Sequence, residues 1–207
     1  MKIGKIRFGS LFLLLICWLF YRDDSGVIWQ GFLACVLHEC GHCLALRWFG
    51  IEVREIRLTL FGAQIKFESH MSYWKECIAA AAGPAVNLLL AGLFWRLSAY
   101  RVFTGVNLSL GIFNLLPVGT LDGARILRCI AAIMASESFA ARISQHISAL
   151  VTLLFTVIGL AIAVFGKNVT LLLMCLWLLW SGNDKFLQKT KQKNRNRACQ
   201  TNAEQLK

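Results

Sequence analysis

Charge is scarce in this chain. Of its 207 residues only 16% are charged, against 57% that are hydrophobic. The apolar residues fall in long blocks without amphipathic alternation, which excludes an ordinary soluble domain and is the composition of a polytopic membrane protein. An internal repeat and a second soluble domain are also lacking. Eight cysteines are present, but most sit in the apolar blocks or on the expected inner side, without the spacing of a secreted disulfide framework. They are expected to be reduced. No aromatic residues punctuate the basic residues after Phe186, which argues against a nucleic-acid-binding arm. No small-residue cleavage site follows the first apolar block; Tyr21-Arg22-Asp23-Asp24 stands there instead, so the block reads as an uncleaved helix and not as a signal peptide.

What is present sets a topology. A helix needs about 20 mainly apolar residues to cross a bilayer core, and candidate spans lie at 5–21, 26–48, 77–97, 102–118, 147–166 and 168–186. The expected fold is therefore an all-α polytopic membrane protein with about six transmembrane helices. The net charge is +11, and its placement matters more than its size. With the N-terminus inside, all of the 22 Lys and Arg fall on inner segments except Arg22, Arg96, Arg101 and Lys167. This obeys the positive-inside rule and puts both termini in the cytoplasm. Residues 1–187 form the expected membrane-embedded domain, and residues 188–207 a basic, disordered cytoplasmic tail near anionic lipid.

Two interruptions stand out. From Glu55 to Phe67, apolar and polar residues alternate on either side of a Gly-containing turn, the pattern of a small membrane-associated β-hairpin around Gly62. From Asn114 to Gly123, Pro117 removes a helix donor and clashes with the preceding turn, so the fourth span should break there. Thr120 then caps a short new helix. Residues 124–146, with Arg125, Arg128 and Arg142 among apolar neighbours, read as a helix on the inner interface.

The chemistry begins at His38-Glu39-Cys40-Gly41-His42. Helical positions four apart point the same way, so His38 and His42 can offer two imidazoles to one zinc while Glu39 stands beside them as a general base. Ionisable groups within hydrocarbon cost several kcal/mol and persist mainly for function; polar pairing between helices is the plainer alternative. A catalytic zinc takes a third protein ligand and keeps one position open. Glu39 and Asp122 are the acids expected at membrane depth, and Asp122, just past the Pro117 break, is the natural third ligand. It also suits a helix cap or a partner for Arg125. Cys40 and Cys43 form a C-x-x-C, but at 100° per residue they point about 200° and about 140° from His38, so a thiolate site is not expected. Cys35, one turn before His38, suits packing better than ligation. His70 and His146 are assigned no role.

Three ordered motifs then carry a resemblance: His38-Glu39-Cys40-Gly41-His42, Ala82-Gly83-Pro84-Ala85-Val86-Asn87, and Asn114-Leu115-Leu116-Pro117 followed by Leu121-Asp122-Gly123. Over roughly residues 30 to 130 the chain resembles the site-2 protease family, with the closest likeness to the bacterial branch that includes stage IV sporulation protein FB. The resemblance implies an intramembrane zinc metalloendopeptidase, with His38, His42 and Asp122 as ligands of Zn2+ and Glu39 as the catalytic base. It also implies places near the substrate or the active-site shell for Asn87 and Asn114. Gly83 would allow close helix contact, and the hairpin would offer an edge to an extended substrate. Expected partners are a membrane protein substrate, such as a transcription-factor precursor or an anti-sigma factor, and a regulatory membrane partner or second copy of the chain. Nothing after Lys185 is long enough for an appended sensory domain. A catalytically silent scaffold or chaperone of the same fold is the main rival reading, and a divalent-metal transporter a weaker one. A scaffold needs no Glu39.

Overall fold

In the computed structural model, residues 5–8, 17–51, 53–59, 62–67, 71–119 and 121–166 are described. Thr120, His70, the expected span 168–186 and the tail 188–207 lie outside them. Among the described residues five helices carry the fold: α1 (Val27–Trp48), α2 (Tyr73–Phe94), α3 (Arg101–Asn114), α4 (Asp122–Met134) and α5 (Glu137–Gly166), with a 3-10 turn at Ser98–Tyr100 before α3. Residues 17–21 are also helical.

A three-stranded sheet joins β1 (Lys5–Phe8), β2 (Val53–Thr59) and β3 (Gly62–Phe67) in that order. β1 runs parallel to β2 from Lys5 opposite Glu55 to Phe8 opposite Leu58, and β2 pairs antiparallel with β3 from Thr59 opposite Gly62 to Val53 opposite Phe67. The expected first span, 5–21, is thus corrected at its start. Lys5-Ile6-Arg7-Phe8 alternates charged and apolar residues, the period-two pattern of a strand, and the apolar run that follows had masked it.

The chain divides into two compact units, one formed by residues 1–116 and 121–143 and the other by 117–120 and 144–207. In the first, α2 is the central helix, packed against α1, α3 and α4. Its buried face is Ala79, Ala80, Gly83, Pro84, Asn87 and Ala91. Such small residues let helix backbones approach closely where lipid removes the usual hydrophobic driving force. A Cβ at Gly41 of α1 would lie 2.8 Å from the Ala82 carbonyl oxygen, and one at Gly111 of α3 would lie 3.0 Å from Leu88. Both crossings depend on glycine.

The helix ends have identifiable causes. Ahead of α1, the Asp23 carboxylate accepts from Ile28 N at 2.8 Å and Trp29 N at 3.3 Å, taking up first-turn amides that the left-handed Gly26 cannot cap. α3 stops at Asn114, short of the expected 118, because a residue before proline is driven out of the helical region and Pro117 cannot donate. Residues 124–146 are not one interfacial helix. α4 ends at Met134, and Ser136 Oγ accepts from Phe139 N at 3.3 Å to open α5 at Glu137, ten residues before the expected span. Leu121, not Thr120, holds the cap position of α4. In the second unit, Gly119, at φ +54°, donates its N–H to Ser148 Oγ at 2.8 Å.

Among the described residues, which hold four of the six expected spans in full, two helices, α2 and α5, are long and apolar enough to cross a membrane. The charged and polar side chains His38, Glu39, His42 and Arg47 lower the hydropathy of α1. At about 1.5 Å per residue, the 14 residues of α3 reach only about 21 Å of a hydrocarbon core about 30 Å thick. α5 leaves Leu150, Leu153, Leu154, Val157 and Leu160 exposed, an apolar surface suited to lipid and not to water.

The glycine of Leu121-Asp122-Gly123 has a packing reason. A Cβ on Gly123 would overlap the Leu115 carbonyl oxygen and lie 2.6 Å from that of Leu116, so α4 is seated directly on the backbone of the broken segment. Gly123→Ala is therefore expected to destabilise the protein by about 1–3 kcal/mol, the range of overpacking. Thermal unfolding of the purified protein checks this, and a variant as stable as the parent would contradict the seating.

Candidate metal centre

α1 brings His38 and His42 to one face a single turn apart, both buried. Asp122, the first residue of α4, is buried opposite them. His38 Nε2 lies 3.1 Å from Asp122 Oδ2 and 3.1 Å from His42 Nε2, and His42 Nε2 lies 3.2 Å from Asp122 Oδ2. The three donors make a nearly equilateral triangle. Ligands about 2.0–2.1 Å from a tetrahedral zinc stand about 3.3 Å apart, so the triangle matches three corners of that polyhedron.

Proton bookkeeping leads to the same result. His42 Nδ1–H donates to the Ala79 carbonyl at 2.7 Å, which leaves Nε2 as a lone pair. A carboxylate oxygen also only accepts. Two acceptors 3.2 Å apart in a buried site, with a third ring nitrogen 3.1 Å from each, make a site that a cation shared by all three would satisfy. The donor set of two imidazoles and one carboxylate is that of catalytic zinc sites with an open fourth position. Ala79 fixes the tautomer of His42 in the manner of second-shell partners, while His38 Nδ1 is buried without a hydrogen-bond partner.

Gly83 is the floor of the centre. A Cβ there would overlap the His42 ring and stand 2.8 Å from His38 Nε2. Sequence reasoning gave Gly83 a helix-packing role; its place against the imidazoles is a finding of the structure. Pro84, next to it, is buried and has no N–H for the Ala80 carbonyl, which loosens this turn of α2.

The remaining singled-out residues are placed as follows. Glu39 is half-buried on α1 between the two histidines. Asn87, one turn beyond Gly83 on α2, is fully buried, and neither its amide nitrogen nor its oxygen has a partner. Asn114 ends α3 and donates its side-chain amide to the Leu110 carbonyl at 3.1 Å. Cys35 and Cys40 are exposed and Cys43 is half-buried; none belongs to the His38, His42, Asp122 group. Sequence reasoning missed two buried polar residues on α3, Thr104 and Asn107, and the role of Gly41. Gly41 sits inside a pattern read for its histidines, Glu39 and Cys40, and the signal that reveals it is the facing run of alanines before Gly83.

A model of Peptidase family M50 matches residues 31–103 and 97–159, more than half of the chain. The chain belongs to this family. Among curated M50 relatives, a zinc metalloprotease of Methanocaldococcus jannaschii is 28% identical over 195 residues, covering 84% of this chain and 55% of that protein. Stage IV sporulation protein FB of Bacillus subtilis is 30% identical over 105 residues, 46% of this chain and 36% of its own length. Across the curated relatives the chain spans from 29% to 55% of their length. Among solved structures, the site-2 protease from Methanocaldococcus jannaschii superposes with a TM-score of 0.66 at 25% identity, covering 89% of this chain and 92% of that one. The fold is that of a site-2 protease, a membrane-embedded member of M50. All three residues of the triangle fall within the matched segments.

Gly83→Ala is expected to remove metal binding while leaving helix content largely intact, because its methyl group would occupy the space of the ligand rings. Zinc content of the purified variant beside its circular dichroism checks this. A fully loaded alanine variant would show that the rings lie elsewhere.

Proposed function

We propose that this chain is an intramembrane zinc metalloendopeptidase that hydrolyses peptide bonds in membrane-embedded or membrane-associated proteins. The single observation that carries the reading is the convergence of His38, His42 and Asp122 on one point beside Glu39, in a chain with the site-2 protease fold. In this reading His38 Nε2, His42 Nε2 and an Asp122 oxygen hold the metal. Bound zinc supplies Lewis acidity, which brings the pKa of water toward neutrality and favours negative charge on the substrate carbonyl oxygen.

Every other step belongs to the chain. Glu39, on the same helix as both imidazoles, takes a proton from the attacking water and returns it to the leaving amine. In this reading Asn87, whose amide is buried with both polar atoms unpaired, and Asn114, at the end of α3, belong to the substrate-binding or active-site shell. Irregular backbone at membrane depth is tolerated where it lines protein or water, and in this reading the helix break that follows Asn114 contributes to a water-accessible wall. The sheet of β1, β2 and β3 belongs to the cytoplasmic membrane face, where an edge strand can align an extended segment.

The charge distribution supports both termini inside, with a membrane domain over 1–187 and a basic tail over 188–207, and the likeness to stage IV sporulation protein FB of Bacillus subtilis supports a bacterial cytoplasmic membrane. Substrates in this reading are transcription-factor precursors or anti-sigma factors, cut under the control of a membrane partner or a second copy of the chain.

Glu39→Gln is expected to retain zinc and to lose product formation by at least about 100-fold, the scale of a lost general base. Cleavage of a tagged candidate substrate co-expressed in bacterial membranes measures it, and equal product from variant and parent would overturn the protease reading. Independently, His38→Ala and Asp122→Ala should each deplete zinc in the purified protein. Full zinc content in both would place the metal outside this triangle.

A further inference from the structure

We propose that Glu76 is a positioning residue for the third ligand, acting through Arg125. The inference rests on the zinc site proposed above. Glu76 lies in the first turn of α2 and Arg125 one turn into α4. The Arg125 guanidinium lies between two carboxylates: Nη2 is 3.6 Å from Glu76 Oε1, and Nη1 is 4.0 Å from Asp122 Oδ1. Arg128 Nη2 reaches the same Glu76 oxygen at 3.5 Å. Among the described residues, the Glu76 side chain, 19% exposed, ties both arginines of α4 to the central helix.

The geometry divides the labour of the Asp122 carboxylate. Its Oδ2 faces the two imidazoles and its Oδ1 faces Arg125. Arginine prefers a two-pronged grip on a carboxylate, and Arg125 stands three residues from Asp122 on the same helix, within reach of such a grip. A full grip would draw Oδ2 away from His38 and His42. By engaging the other arm of the guanidinium, Glu76 holds Arg125 at 4.0 Å from Oδ1, too far for a hydrogen bond and near enough to favour the anion. The orientation of the metal-facing oxygen is thus set from a neighbouring helix by a residue that touches neither metal nor substrate.

A plain helix staple would look similar in coordinates but behave differently. A staple depends on both arginines, whereas ligand positioning depends on Arg125 alone, since Arg128 does not reach Asp122. The test is zinc affinity of the full chain in detergent, measured by competition with a chromophoric chelator for variants that elute and show helix content like the parent. Glu76→Gln and Arg125→Gln are each expected to raise the zinc dissociation constant about 10- to 100-fold, the range for outer-shell partners. The double variant should be within about threefold of either single one, because both act on one path. Arg125→Lys should recover part of the loss and Arg128→Gln should stay within about threefold of the parent. Unchanged affinity in Glu76→Gln would overturn the proposal, as would equal losses in Glu76→Gln and Arg128→Gln. Should Glu76→Gln not fold, unchanged affinity in Arg125→Gln would overturn it. A parent chain that binds no zinc would instead overturn the site itself.

Discussion

Three candidate ligand atoms held 3.1–3.2 Å apart inside a bundle of helices form an arrangement that one shared cation would satisfy. Desolvated lone pairs of this kind repel one another, and in a low-dielectric interior nothing screens them. The rest of the bundle is arranged around that convergence. Gly83 leaves room for the rings, Gly41 lets α1 lie directly on α2, and Gly123 seats α4 on the carbonyls of the broken segment so that Asp122 arrives at its first turn. Each of these glycines is needed because a side chain would push one corner of the triangle outward.

Much of this could be read from residues alone, and the reasons differ by feature. The histidine pair was legible because helical periodicity converts a spacing of four into a shared face. Asp122 was legible because acids are so rare in the apolar blocks, and because Pro117 announces a break just before it. The α1 boundaries were close to expectation for the same reason that its start is well marked: Asp23 precedes an apolar run and takes up its first amides. By contrast, the strand at Lys5–Phe8 was hidden under the adjoining apolar block, since a length criterion for spans ignores the short alternation that marks a strand. The split of 124–146 was hidden too, because Ser136 is a cap whose effect depends on one local hydrogen bond. Hydropathy windows also give no weight to what lies beside a helix. They treat α1 and α3 as spans by the surrounding apolar residues, whereas the ionisable pair in one and the brevity of the other set them apart from α2 and α5.

The distribution of charge across the fold follows a common principle. Few acids and bases are present, and those near the centre stand next to one another in a chain: Arg128 beside Glu76, Glu76 beside Arg125, Arg125 beside Asp122. Such a chain runs from exposed arginine to buried carboxylate, so the electrostatic environment of the deepest anion is graded and not abrupt. A membrane protein benefits from this arrangement because isolated buried charge is what the bilayer penalises most.

The hydrogen bond from His42 to Ala79 has a consequence for how the centre tolerates change. Its acceptor is a main-chain oxygen, which every amino acid at position 79 would carry. No single codon change can delete that atom, so the ring orientation and tautomer of one ligand are insulated from mutation at the residue that fixes them. Vulnerability is transferred instead to the size of the side chain at 79, which is fully enclosed, and to the regularity of the helix that holds the carbonyl in place.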